Sequence, residues 1–382
     1  MSYSQNKHSG LIKVVFVLPS LTAGGAERVL INLMNGLDKT RFAPSIITVN
    51  NGGDLHDLIG REIPYKSLHR DSVFKSTPAL YKVLKHERPN IIVSTMAHMN
   101  FAVMALKPFF PDTKFVIREA ITPSFFFEKY KNRSFIIKNL YKRYYPKADV
   151  LLSPASTILD EFTASLSLDD DNFMVLPNSV DIDKMRSQDN FQPISTARKT
   201  RVDYVACGRL GKQKGFDRLI NMLPKLNHTH DWRLTIYGEG AERENLESLI
   251  NSLGLNEQVY LPGLVKEPYT QFAQADCFLL PSLFEGLPNV ILETLACGTP
   301  AIATKESGGI HEIAKHTAPD ALNVVQNMDK FITQMREVRP DPVQSFRKSL
   351  LPDVYHKQAV VSRFNGLLLS LVGQEERLKK AA

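Results

Sequence analysis

The sequence is poor in cysteine, has a single tryptophan and contains no long uncharged apolar run. Its three cysteines, Cys207, Cys277 and Cys297, stand 70 and 20 residues apart with no CxxC pair. Neither a disulfide framework nor a zinc site is therefore expected, and a reducing compartment is. No stretch approaches the roughly 18 to 20 apolar residues that span a bilayer. The opening MSYSQNKHSG is polar, with no apolar segment of a signal peptide behind it. The expectation is a cytoplasmic protein. Hydrophobic residues at 43% and charged residues at 23% exclude a disordered or collagen-like chain. A length of 382 residues calls for two domains.

Charge is uneven. Residues 1–150 hold 22 Lys and Arg against 11 Asp and Glu, whereas the remainder holds 25 against 29. A one-sided positive field selects a partner with clustered negative charge: nucleic acid, an anionic lipid surface or a phosphorylated substrate.

Short β-branched runs alternate with helical spacing along the whole chain. Lys13 to Leu18 reads as a strand, a glycine turn follows, and Ala26 to Leu37 returns to helical period. Pro44 to Val49, Asn90 to Thr95, Lys114 to Ile117 and Asp149 to Ser153 continue the series. A polar stretch from Asn190 to Arg201 reads as a linker. Beyond it, strands are expected at Val202 to Cys207, Arg233 to Tyr237, Gln258 to Leu261, Cys277 to Leu280 and Pro300 to Ala303. Helices are expected at Phe216 to Leu226, Ala241 to Leu253, Pro268 to Ala275 and Pro288 to Cys297. The class is α/β: two Rossmann-like, doubly wound parallel-sheet domains, 1–190 and 200–353, facing a cleft. An apolar helix within 354–382 is expected to pack back onto the first.

Chemistry concentrates in a few loops. Pro281 to Pro300 ends a strand, turns at Glu285-Gly286-Leu287 and restarts as a helix at Pro288. Backbone N–H groups of Leu287, Asn289 and Val290 at that helix start suit phosphate. Glu285 and Glu293 would flank the anion and accept hydrogen bonds from hydroxyl groups attached to it. They read equally as a helix cap and a solvated surface residue. Arg209 and Lys214, in the glycine-punctuated loop after Val202 to Cys207, could neutralise a diphosphate or be ordinary exposed cations. Gly24 and Gly25 would let backbone approach a phosphate, or form a bare turn. Gly238-Glu239-Gly240 lacks the third glycine of a dinucleotide fingerprint, so NAD has weak support.

Together these segments resemble family 4 of the retaining glycosyltransferases, the group 1 glycosyltransferases, which use the GT-B fold. The most specific element is the spacing of Glu285 and Glu293 within Phe-Glu-Gly-Leu-Pro-Asn-Val-Ile-Leu-Glu. Gly208-Arg209-Leu210, Lys214-Gly-Phe-Asp217, Asn178-Ser-Val-Asp181, Tyr237-Gly-Glu-Gly240 and Gly308-Gly-Ile-His-Glu312 support it. The resemblance implies transfer of a hexose or N-acetylhexosamine from a nucleoside-diphosphate sugar, with a UDP-sugar favoured, and no metal or cofactor. The acceptor hydroxyl would belong to a lipid-linked glycan or a lipopolysaccharide or polysaccharide precursor. Glu293 would bind the ribose and Glu285 the donor sugar, as a catalytic group with Arg209 and Lys214. Those two cations and the backbone from Leu287 through Pro288 and Asn289 to Val290 would hold the diphosphate, and Gly263, Leu264 and Val265 the base. The family's histidine near the transferring sugar is replaced here by Ala120. His98, Asn100, Arg118 and Glu119 are the local candidates for acceptor or transition-state contact. His311 and Glu312 are read as structural, because the glycine-rich segment usual near the donor is missing beyond them.

Between Phe125 and Lys147 seven cations face Glu128 alone, interleaved with aromatics. Phe125, Phe126, Phe127, Lys129, Lys131, Arg133, Lys138, Lys142 and Arg143 are the expected contacts with an anionic membrane, on the inner face of the cytoplasmic membrane. A core helix with a solvated basic edge is the plainer reading. Two rivals to the transferase stand: a sugar-nucleotide epimerase or hydrolase of the same fold, and a nucleic-acid-binding protein. The second has no recognised binding module, and no nucleic-acid partner is expected.

Overall fold

The computed structural model describes residues 10–22, 24–187, 191, 200–226, 231–341 and 347–373. Most of the expected linker, Ala23 in the first glycine turn, the side chain of Lys129 and the tail beyond 373 lie outside the described residues. The chain divides into two compact units, one formed by 1–177 with 358–382, the other by 178–357. The first boundary thus falls before the polar stretch, because Asn178 and the helix Ile182–Arg186 bond within the second unit.

The first unit holds seven parallel strands: β1 Ile12–Leu18, β2 Phe42–Thr48, β3 Tyr65–Ser67, β4 Ile91–Thr95, β5 Lys114–Arg118, β6 Val150–Ser153 and β7 Phe173–Val175. Their spatial order is β3-β2-β1-β4-β5-β6-β7. Central strands such as β1, β4 and β6 are apolar and buried on both faces, as a sheet covered by helices requires. The helix Gly25–Asn35 buries Val29, Leu30, Leu33 and Met34, one stripe at helical spacing. The helix Lys357–Leu371 contributes Val360, Phe364 and Leu368 to the same core. Phe364 meets Phe16 of β1 at 6.4 Å between ring centroids, and the Asp38 N–H donates to Asn365 Oδ1 at 3.0 Å.

The second unit holds six: β8 Val202–Cys207, β9 Trp232–Tyr237, β10 Val259–Gly263, β11 Cys277–Leu280, β12 Ala301–Thr304 and β13 Leu322–Val325. They are parallel in the order β10-β9-β8-β11-β12-β13. A backbone bridge between Val180 and His356 brings the two ends of this unit side by side.

β3, β7 and β13 were not foreseen; they are three or four residues long, too short for a strand period to stand out, and β3 and β7 are only partly buried. The helix expected from Phe216 to Leu226 ends at Met222 and tightens into a 3₁₀ turn, Leu223–Leu226. Pro224 there lacks the N–H that would continue the helix.

In each sheet the strand order reverses at one place, between β1 and β4 and between β8 and β11. Loops leaving the carboxyl ends of adjacent strands diverge at such a point and leave a crevice for ligands.

Candidate active site

At the β8/β11 reversal the loops diverge and are then sewn together. After β8, Gly208 to Gly211 leads into the 3₁₀ turn Lys212–Lys214, and Gly215 takes φ +63° before the helix Phe216–Met222. Lys214 Nζ donates to Glu285 Oε1 at 2.7 Å across the reversal, and Ser282 Oγ donates to the same oxygen at 2.8 Å. Both partners of the ion pair are largely buried, with side-chain exposures of 17% and 12%. The Leu283 N–H donates to Gln213 O, and Gln213 Nε2 to Phe284 O. Arg218 clamps the turn from beneath: Nε donates to Pro281 O, and Nη2 to Ser282 O and Thr304 Oγ1, at 2.8 to 3.0 Å. From the other side the Gly309 N–H donates to Gly286 O. Gly308, at φ +57°, packs so closely that a methyl group there would collide with the Glu285 carbonyl.

The helix that follows spans Asn289–Ala296, and no side chain caps it. Glu285 is engaged with Lys214 and Ser282, so the reading of it as that helix's cap is set aside. In the first turn the Ile291 N–H donates to Pro288 O at 3.0 Å, while the Asn289 and Val290 amides have no partner within the helix, and the exposed Arg209 guanidinium makes no hydrogen bond or ion pair with a described residue. Leu287 and Pro288 are buried, while the Asn289 side chain is used locally, its Oδ1 accepting from Asn178 Nδ2 at 2.5 Å. Glu293 is half-buried one turn further on. Burial, then the charge of Glu293, pushes the Cys207 thiol at the end of β8 up to about 12, while Lys214 acts on it in the opposite direction. Cys207 is thus the common neighbour of Lys214 and Glu293. The two glutamates, Lys214 and the open helix start share one corner of the second unit.

Gly263 ends β10 at φ +98°, and its carbonyl accepts from the Gly238 N–H at 2.9 Å. Leu264 beyond it is 77% exposed and Val265 partly so. Arg243 bridges Glu239, Glu247 and Leu261 O, fixing this edge.

The first unit is arranged differently. Gly24 and Gly25 open the first helix, but the Glu27 carboxylate folds back against Gly24 and takes a backbone N–H of that helix start. It is buried, and desolvation raises its pKa. A phosphate at Gly24 and Gly25 would have to displace it, which the glycine pattern alone does not reveal. Asn100, Arg118 and Glu119 are buried in one network rather than presented to solvent. Ser94 Oγ donates to Asn100 Oδ1 at 2.7 Å, and Asn100 Nδ2 donates to Glu119 Oε1 at 2.9 Å and Arg118 O at 3.0 Å. The Tyr145 hydroxyl also donates to Glu119. Burial raises the Glu119 pKa to about 7, against those hydrogen bonds and the Arg118 charge, and lowers that of Arg118 to about 10.

His98 stands apart from this network. It lines a cavity of about 350 Å³ at the β1/β4 reversal, together with Ser20, Asn50, Arg70, Asp71 and Phe74. Burial lowers its pKa.

In the basic segment the aromatics divide. Tyr141 and Tyr145 are buried against Phe101 and Phe162. Phe125, Phe126 and Phe127 are half-buried, and Lys138 lies over the Phe127 ring. The exposed apolar groups are instead Tyr130, Phe135 and Ile136, ringed by exposed Lys131, Arg133, Lys138, Lys142 and Arg143. Among the described residues no group of three or more His, Cys, Asp or Glu is placed to hold a metal ion, and no helix is long and apolar enough to cross a membrane.

Two tandem parallel-sheet, Rossmann-like units are the architecture of the GT-B fold. The sequence profile described as Glycosyl transferases group 1 matches residues 187–350, and that described as Glycosyltransferase Family 4 matches residues 23–184. The chain belongs to this family, and it is a glycosyltransferase. It is 29% identical over 315 residues to the N-acetylgalactosamine-N,N'-diacetylbacillosaminyl-diphospho-undecaprenol 4-alpha-N-acetylgalactosaminyltransferase of Campylobacter jejuni, covering 79% of this chain and 83% of the relative. The fold is shared with the lipopolysaccharide outer core galactosyltransferase WaaB, at TM-score 0.72 and 19% identity over 94% of this chain and 99% of that one. It is shared too with Anabaena HepE in complex with UDP-glucose, at TM-score 0.66 and 19% identity over 97% of this chain and 100% of that one.

Proposed function

We propose that the chain moves a hexosyl or N-acetylhexosaminyl group from a UDP-sugar to a hydroxyl of a lipid-linked glycan or lipopolysaccharide precursor, with retention and without a metal. The ion pair of Lys214 and Glu285 beside the open helix start at the β8/β11 reversal carries the reading. The Campylobacter relative supports the acceptor class by its name, and the UDP-glucose complex of HepE the donor.

In this reading the diphosphate lies against the amides of Leu287, Asn289 and Val290 and draws Lys214 and Arg209 to its oxygens. Glu285, released from Lys214, takes sugar hydroxyls, and Glu293 takes the ribose. The bond from the anomeric carbon to the phosphate oxygen breaks, and the acceptor oxygen bonds to that carbon on the same face. The acceptor proton passes to the departing phosphate oxygen. Charge develops on the diphosphate, where the two cations and the helix-start amides would offset it. This function needs no covalent nucleophile and no metal, because two cations and the helix start supply the positive field.

The first unit takes the acceptor, and the Phe135–Ile136 tip with its ring of cations rests on the inner face of the cytoplasmic membrane. Each cation near an anionic surface contributes about 1 kcal/mol.

The test is melting of the purified chain with UDP, GDP and ADP, followed by sugar transfer in the Lys214→Ala and Glu293→Ala variants. UDP should stabilise the parent, and Lys214→Ala should lower kcat on the order of 10²- to 10³-fold, the scale of losing one transition-state donor. Full activity in both variants would refute the proposal. Flotation with vesicles containing phosphatidylserine should weaken when Phe135 and Ile136 are both changed to Asp; unchanged flotation would remove the membrane contact.

A further inference from the structure

We propose that the cavity at the β1/β4 reversal of the first unit is a carbohydrate subsite that takes one uncharged pyranose residue, with Phe74 as its stacking face and Asn50, Asp71 and His98 as its hydroxyl readers. The inference rests on the transferase reading and adds which part of the acceptor the first unit recognises.

Position is the first ground. The cavity lies where loops from the carboxyl ends of β1, β2 and β4 part, the place a doubly wound sheet offers a ligand. At about 350 Å³ it falls at the lower end of small-molecule sites, room for a monosaccharide unit but not for a polyprenyl chain.

Its chemistry is the second ground. A pyranose has an apolar C–H face and an equatorial rim of hydroxyls. The cavity offers a phenyl ring, 58% exposed at Phe74, together with a carboxamide, a carboxylate, a guanidinium and an imidazole. An exposed ring in a wall of planar hydrogen-bonding groups matches both surfaces of a sugar. Charge argues against a phosphate guest. The lining itself is mixed in sign, with Asp71 beside Arg70 in the chain, and burial disfavours the cationic form of His98.

Backbone strain is the third ground. Met96, directly after β4, holds φ +73° and ψ +127°, outside the regions open to a bulky residue without cost, and it launches the helix that carries His98 in its first turn. Strain of this kind concentrates where a side chain must be aimed.

The experiment uses the full chain with saturating UDP and saturation-transfer NMR on free N-acetylgalactosamine, N-acetylglucosamine, galactose and glucose at millimolar concentration, with inorganic pyrophosphate in parallel. At least one sugar should receive saturation. Its signal should fall about tenfold in Phe74→Ala and Asp71→Ala, recover in Phe74→Trp, and persist in Glu285→Ala. UDP-induced stabilisation, unchanged in the Phe74 and Asp71 variants, shows that they are folded. Three results would overturn the inference: no sugar binding to the parent, sugar binding lost in Glu285→Ala but kept in Phe74→Ala, or pyrophosphate binding that depends on Arg70. The transferase reading fails separately, through absence of UDP stabilisation.

Discussion

Glu119 provides a quantitative test of how the first unit is held together. Its carboxyl is buried, accepts from Asn100 and Tyr145, and has its pKa raised by burial from 4.5 to about 7. In the unfolded chain the same group titrates near its ordinary value. Between about pH 4.5 and 7 the folded state therefore binds more protons than the unfolded one, and stability falls as pH rises through that window. Below it both states are protonated, and above it both are ionised, so the dependence flattens at each end. A tenfold change in proton affinity is worth about 1.36 kcal/mol, which makes the whole displacement about 3 kcal/mol. Replacing Glu119 with Gln keeps an acceptor for both donors and removes the proton. The tryptophan fluorescence of this chain reports the second unit, since Trp232 lies in β9. Native-state hydrogen exchange at Val116, Ile117 and Leu151, in β5 and β6, reports the first. Intrinsic exchange rates cancel when parent and variant are compared at one pH. From pH 4.5 to 7.5 the parent should lose about 3 kcal/mol of opening free energy relative to Glu119→Gln. An offset that stays constant with pH would refute the argument, because it would mean that the buried carboxyl does not titrate in this range.

Arg218→Ala should loosen the Pro281–Ser282 turn that carries Glu285, lowering kcat and raising the donor KM, while Arg218→Lys restores neither fully because one ammonium cannot span the three acceptors; steady-state kinetics on the three proteins decide. Burial pushes the thiols of Cys207, Cys277 and Cys297 up to about 12. At pH 8 the folded chain should react with iodoacetamide roughly a thousandfold more slowly per thiol than free cysteine, counted by intact mass, and normally in urea. Gly308→Ala should be destabilising by about 1 to 3 kcal/mol at its positive φ and weaken UDP stabilisation, both read from one melting series.

The doubly wound class and ten of the strands were legible because they depend on local pattern, buried β-branched runs and glycine loops at strand ends, whereas the direct pairing of Lys214 with Glu285 was not. What stayed hidden depends on partners far along the chain. Arg218 looks like an ordinary helical cation until Pro281, Ser282 and Thr304 are folded against it. Asn100, Arg118 and Glu119 look like exposed loop residues, and only Tyr145 and Ser94 reveal a buried network. In the basic segment, composition marks aromatics and cations alike, whereas the helical phase of Tyr141 and Tyr145 decides which rings turn inward and leaves Phe135 and Ile136 outside. Phe74 and Asp71 carry no motif at all; they gain meaning from the reversal of strand order beside them.

The return of the chain to its first sheet has a bearing on biosynthesis. The segment 178–357 is continuous and its ends meet at the Val180–His356 bridge, so it can complete itself as soon as it leaves the ribosome. The earlier-made portion must wait, its sheet short of Val360, Phe364 and Leu368 until that helix has been made. Until then the apolar face around Phe16 lacks the helix that covers it.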